Sequence, residues 1–120
     1  MSRHYIVLPA KIDAQIDGQA RKLTSAAIIC GFDKFPTRHF FCNVSESLIP
    51  EHVDEPIWAS VLDFNFDNVT SVNGFDSKLA SMGVTLPASY KDALLSDWSQ
   101  GRMKNEVHWN PDGTIDGVVS

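Results

Sequence analysis

From Ile6 to Ile16 the even positions read Ile6, Leu8, Ala10, Ile12, Ala14 and Ile16, whereas Lys11, Asp13 and Gln15 occupy odd positions of the same stretch. A period of two marks a strand with one buried face. The Asp17-Gly18 pair that follows tolerates positive φ, which predicts a tight turn and a hairpin returning through Leu23 to Ile29. The same residues also fit a helix over Lys11 to Leu23. Ile12, Ile16, Ala20 and Leu23 line one helical stripe, and Ala, Gln, Lys and Arg are good helix formers.

Ala26 to Cys30 and His39 to Val44 are two short apolar runs. Between them, Gly31, Asp33 and Pro36 suit a connection between antiparallel neighbours. Ser45 to Pro56 reads as a polar, proline-bounded loop, and Ile57 to Leu62 as a further strand. Two helices follow. Phe75, Leu79 and Met82 share one helical face, with Asn73 available as a cap and Gly83 as a left-handed end. Pro87 then stands where a first-turn proline belongs, and Tyr90, Leu94 and Trp98, flanked by Ala93 and Leu95, form a stripe that stops near Gly101. Val107 to Trp109 and Thr114 to Val119, joined by Asn110-Pro111-Asp112-Gly113, predict a closing hairpin. Strands, two helices and strands again give an α+β fold: a mostly antiparallel sheet of five or six strands with two helices packed on one face.

At 120 residues the chain is the size of a single domain, spanning 1–120, since single cores commonly hold about 100–150 residues. Its 43% hydrophobic content is far from the signature of disorder, so it should fold alone. The apolar run Tyr5 to Pro9 is too short for a signal peptide and no run could span a bilayer, which makes the expected location cytoplasmic and a membrane partner unexpected. Cys30 and Cys42 are then expected as reduced thiols.

Charge changes the picture more. Residues 1–40 carry six bases and three acids, whereas residues 41–98 carry two bases and nine acids. Between Arg38 and Lys78 there is no Lys or Arg, yet Glu46, Glu51, Asp54, Glu55, Asp63, Asp67 and Asp76 all lie there. Such a segment cannot neutralise itself locally and can present a negative face to a positive partner. The bias is opposite to that of a direct nucleic-acid binder. The competing account is an ordinary solvated surface.

Other chemistry finds little support in the residue order. Cys30, His39, Cys42 and His52 are spaced by nine, three and ten residues, which matches no familiar zinc site. On an extended strand His39 and Cys42 would also face opposite ways. Asp63-Phe64-Asn65-Phe66-Asp67 resembles the start of a calcium loop, but Asn68 and Gly74 stand where that loop needs Gly and Glu. No nucleophile elbow and no phosphate-cradling glycine cluster occurs, so no catalytic residue, metal or cofactor is expected. Trp58, Trp98 and Trp109 suit core or helix–sheet contacts.

The stretch Ile28-Ile-Cys-Gly-Phe-Asp-Lys-Phe-Pro-Thr-Arg-His-Phe-Phe-Cys-Asn-Val44, with Lys78-Leu-Ala-Ser-Met-Gly-Val-Thr-Leu-Pro87 and the helix after it, resembles short uncharacterised proteins of plasmids and phages. The segment up to Ser25 departs from it. The resemblance implies an accessory protein of a mobile element. Such proteins often inhibit a host defence enzyme, as anti-CRISPR proteins do, and some use acidic faces that imitate nucleic acid.

These readings lead to the expectation of a non-enzymatic binding or inhibitor protein that docks an acidic face on a basic, nucleic-acid-binding surface of a host protein. The partner-binding residues expected are Glu46, Glu51, Asp54, Glu55, Trp58, Asp63, Phe66 and Asp67, with aromatics such as Trp58 or Phe66 exposed to carry binding energy. Two alternatives stand beside it. One is a small enzyme whose His39, His52 or His108 meets Asp or Cys groups only after folding. The other is an oligomer paired through an open sheet edge.

Overall fold

A computed structural model describes residues 1–119. The chain forms β1 (Arg3–Ile16), β2 (Gln19–Asp33), β3 (His39–Ser45), α1 (Pro50–Asp54), β4 (Trp58–Ala59), α2 (Asp76–Ser81), α3 (Ala88–Gln100), β5 (Glu106–Trp109) and β6 (Ile115–Val119). The strands make one six-stranded sheet in the order β4-β3-β2-β1-β5-β6. Its pairs are antiparallel except β1 with β5, which run parallel in the register His4↔Val107. The fold is therefore α+β with a mostly antiparallel sheet.

The stretch from Lys11 to Leu23 is hairpin and not helix. Asp17 at φ 52° and Gly18 at φ 77° supply the two left-handed central residues of a type I′ turn. Around it β1 and β2 pair from Ile16↔Gln19 to His4↔Cys30, so the return strand extends beyond Leu23–Ile29 at both ends. The register slips between Pro9 and Ile12. Pro9 has no N–H to give, and the Lys11 N–H leaves the sheet to reach the Met82 carbonyl at 2.8 Å, at the end of α2. Gly83, at φ 72°, ends that helix, and a Cβ there would meet the Lys11 nitrogen at 2.8 Å.

Even positions of β1, β2 and β3 form the main core: Ile6, Leu8, Ile28, Phe32, Phe40 and Val44 pack with Phe75, Leu79, Tyr90 and Leu94 from the helix side. Gly31 permits a close approach on the other face. A Cβ there would lie 1.8 Å from the Ser2 carbonyl oxygen and 2.7 Å from the Phe41 ring.

Four expectations need correction. The described residues form three α-helices, because Pro50–Asp54 inside the expected Ser45–Pro56 loop is α1. Pro50 in its first turn and Glu51 beside it favour helix initiation, but five residues are too few to show a period. The expected strand Ile57–Leu62 keeps only Trp58–Ala59 and then tightens into a 3-10 turn, Ser60–Leu62. There the Ser60 hydroxyl accepts from the Cys42 N–H at 2.9 Å, taking the place of a ladder partner. At α2, Phe75 holds the N-cap position, while the Asn73 side chain accepts from Lys91 Nζ at 2.8 Å. At α3, Pro87 is the N-cap residue and not the first helical one, Gly101 at φ 64° closes the helix, and Leu95 is exposed. Among the described residues, no helix is long and apolar enough to cross a membrane.

Candidate functional site

The acidic window folds into the segment that leaves β3, forms α1 and returns as β4. Ser47 organises the entry: its hydroxyl accepts from the Ile49 N–H at 3.1 Å, just ahead of Pro50. Between α1 and the tip of the β1–β2 hairpin lies a depression of about 370 Å³. Asp17, Glu46, Glu51, Asp54 and Glu55 line it, with Ile16 and Ile57 as apolar walls. Asp17 joins from a remote part of the sequence, and only the hairpin's reach brings it there.

A second depression, of about 640 Å³, lies across Pro56 and is lined by Asp54, Glu55, Trp58, Leu62, Asp63 and Phe64 among others. Asp54 and Glu55 belong to both. Leu62 and Phe64 are 86% and 85% exposed, so carboxylates and solvent-facing apolar groups share one surface.

Individual residues differ in their availability. Glu51, Asp54, Glu55 and Asp67 are exposed. Glu46 is only 12% exposed at its side chain; it pairs with Arg21 and lies 3.2 Å from His52 Nε2. Asp76 is held by Lys91 at 2.8 Å. Asp63 accepts from Trp58 Nε1 and from the Asn65 N–H, each at 3.1 Å, and so fixes the turn that earlier resembled a calcium loop. Trp58 and Phe66 are half-buried against the main core and meet edge to face at 5.5 Å, with Lys78 Nζ over the Trp58 ring. They are not the exposed aromatics expected of them, because Phe75 offers both rings a packing partner. The exposed ring of this region is Phe64. Phe66 and Asp67 line neither depression.

The histidines lie in separate surroundings. His39 is buried and donates from Nδ1 to the Thr37 carbonyl at 2.7 Å. His108 stacks on Tyr5 at 4.8 Å. His52 alone of the three meets a carboxylate, Glu46, and it also meets the Ser47 hydroxyl at 2.7 Å from Nδ1. His4 and Asp97, which no motif singled out, form a closed pair at 2.6 Å, each 1% exposed. Cys30 and Cys42 are register partners on the core face. Burial pushes the Cys42 thiol well above its ordinary range, and Cys30 beside it adds to the rise. Among the described residues, no group of three or more His, Cys, Asp or Glu is placed to hold a metal ion.

No family model, no curated protein and no solved structure matches this chain. What the site can do chemically rests on its own geometry: a concave anionic surface beside exposed Leu62 and Phe64, with His52 on its wall, hydrogen-bonded to Ser47 and 3.2 Å from Glu46.

Proposed function

We propose that this protein is a binding protein of the inhibitor kind, which docks its acidic face on a basic surface of another protein. The observation that carries the reading is the position of Asp54 and Glu55, which line both depressions and join the carboxylates to exposed Leu62 and Phe64. Complementary charge steers association and sets register, while desolvated apolar anchors supply most of the affinity. Glu51, Asp54 and Glu55 provide the first; Leu62 and Phe64 provide the second. Glu46 contributes less because Arg21 already compensates it. The likeness to short plasmid and phage proteins supports a cytoplasmic host defence or nucleic-acid-binding protein as the partner.

The test is affinity capture from host lysate at low and high salt, with the retained protein identified by mass spectrometry and its affinity then measured with purified components. Exposed charge pairs are screened beyond about 10 Å at 0.1 M salt, so binding should weaken as salt rises. Reversing Glu51, Asp54 and Glu55 to Lys should abolish binding while the melting temperature holds, since all three are exposed. A partner that binds the triple variant with wild-type affinity removes the reading.

A further inference from the structure

Beside the docking surface, Ser47 and His52 share a hydrogen bond, and the Glu46 carboxylate stands beyond the imidazole as a charge contact. Glu46 is pinned by Arg21 from β2 and, as a carboxylate, only accepts. Nε2 lies 3.2 Å from this carboxylate without hydrogen-bond geometry; a ring N–H there is attracted by the negative charge and a lone pair is repelled, which favours the proton on Nε2. In the neutral ring Nδ1 is then an acceptor, and the group 2.7 Å away is the Ser47 hydroxyl, which donates to it. The Ile49 N–H occupies one Ser47 lone pair from the other side, which leaves His52 as the hydroxyl's acceptor. Hydroxyl to imidazole to carboxylate is the order that activates a serine, here with the two ring nitrogens exchanged relative to the Ser-His-Asp triad. The His52 side chain is 35% exposed and lines the acidic depression with Glu46, and Ser47, hydrogen-bonded to it, is half-buried behind that wall.

We propose that Ser47 is an activated nucleophile that takes an acyl group from a neutral or cationic ester. Ser47 Oγ attacks the carbonyl carbon, and the hydroxyl proton passes to His52 Nδ1 as the Oγ–C bond forms. The tetrahedral adduct collapses, the bond to the leaving alcohol breaks, and His52 Nδ1 returns the proton to that alkoxide. The products are acyl-Ser47 and the free alcohol, with no oxidant or further reactant required. Asp17, Glu51, Asp54 and Glu55 around the depression disfavour anionic donors, and Ile16 and Ile57 offer an apolar wall to the acyl chain. Glu46 acts as a positioning residue through His52. The inference stands apart from the docking reading, since a reaction that stops at acyl-Ser47 needs no protein partner.

The full-length protein should be incubated with para-nitrophenyl acetate, following nitrophenolate release and mapping the acetyl group by peptide mass spectrometry. One equivalent on Ser47 is expected. Ser47→Ala should abolish it, and His52→Phe should slow it about a hundredfold, the lower end for loss of a general base. Glu46→Gln should slow it less. Urea-unfolded wild type should lose Ser47 labelling altogether, a control that needs no variant to fold. A cationic para-nitrophenyl ester should react faster than an anionic hemisuccinate, and Asp54→Lys with Glu55→Lys should reverse that order. Acetyl groups found only on lysines, or Ser47 labelling as fast in His52→Phe or in unfolded chain as in the native protein, overturns the proposal.

Discussion

The indole N–H of Trp109 donates to His4 Nδ1 across 3.0 Å, deep in the molecule and between two parallel neighbours, β5 and β1. An indole nitrogen can only donate, so Nδ1 carries no proton and Nε2 must. That proton points at Asp97 Oδ2, 2.6 Å away on α3. Tyr90, one helical stripe away, donates to the His4 carbonyl at 2.7 Å and accepts from the Cys30 N–H at 3.1 Å. Four residues thus tie α3 to positions on β1, β2 and β5 through buried hydrogen bonds.

Asp97→Ala should therefore be among the most damaging single changes. It strands the His4 N–H in the core, and breaking a buried pair by removing one partner costs about 3–5 kcal/mol. Trp109→Phe keeps most of the ring's packing but leaves Nδ1 without a donor, at about 1–3 kcal/mol. Urea denaturation of both variants measures the order. A loss below that of Trp109→Phe for Asp97→Ala contradicts the assignment.

The sequence made part of this visible and hid the rest for physical reasons. The alternation from Ile6 to Ile16, the Asp17-Gly18 turn and the stripe of Tyr90, Leu94 and Trp98 are local patterns, and the structure contains the elements they predict. His4 stands in phase with Ile6 and Leu8, and Asp97 three residues after Leu94 on the α3 stripe, but they lie 93 residues apart and local pattern cannot show that each has the other as its buried partner. The β1–β5 pairing is hidden likewise, since a parallel neighbour depends on where α3 delivers the chain. At the candidate site, the base-free window was plain, but composition could not tell that Arg21 from the hairpin would neutralise Glu46, or that Asp17 would join. Nor could alternation separate Phe64, left in solvent, from Phe66, which turns to meet Trp58 and Phe75.

Gly31 and Gly117 provide a matched comparison within strands. Gly31→Ala drives a methyl into the Ser2 carbonyl oxygen and the Phe41 ring, whereas a Cβ at Gly117 meets nothing within 4 Å. Overpacking typically costs about 1–3 kcal/mol, and a backbone oxygen yields less than a side chain, so Gly31→Ala should reach at least the upper end. Gly117→Ala should be neutral within error. Thermal melts of the pair decide, and equal melting temperatures would falsify the close approach.

Trp58 folds the 56–66 segment on itself through its hydrogen bond to Asp63 and its ring contact with Phe66, and ties it to the core through Phe75. Trp58→Ala should cost about 3–5 kcal/mol, the usual range for an aromatic truncation, reduced toward the lower end by its partial exposure. Trp58→Phe should recover most of this, losing mainly the bond to Asp63. If binding of a basic partner is also measured, Phe64→Ala should weaken it more than Trp58→Phe, because Phe64 is 85% exposed whereas Trp58 is half-buried against the core and keeps a ring there as Phe.

Alkaline pH should unfold the protein through two groups in its core. The Cys30 and Cys42 N–H groups point away from each other, to Tyr90 and Ser60, which makes their pairing the non-hydrogen-bonded kind with close side chains. Burial raises the Cys42 thiol, with Cys30 adding to the shift, and burial also raises the Tyr90 hydroxyl, reinforced by both cysteines. A group whose folded pKa lies above its unfolded one keeps its proton in the native state while the unfolded chain has released it, so stability falls with rising pH across that window. Unfolded cysteine ionises near about 8.5 and tyrosine near about 10, which sets the start of each decline. The urea midpoint should hold to about pH 8, fall above it and steepen beyond about 10. In Cys42→Ala the first decline should shrink and the second should persist. Native protein at mildly alkaline pH should resist Ellman's reagent, and both thiols should react once urea has opened the core. A thiol titrating in the folded protein, or a midpoint that stays level through about pH 11, contradicts the burial that these shifts depend on.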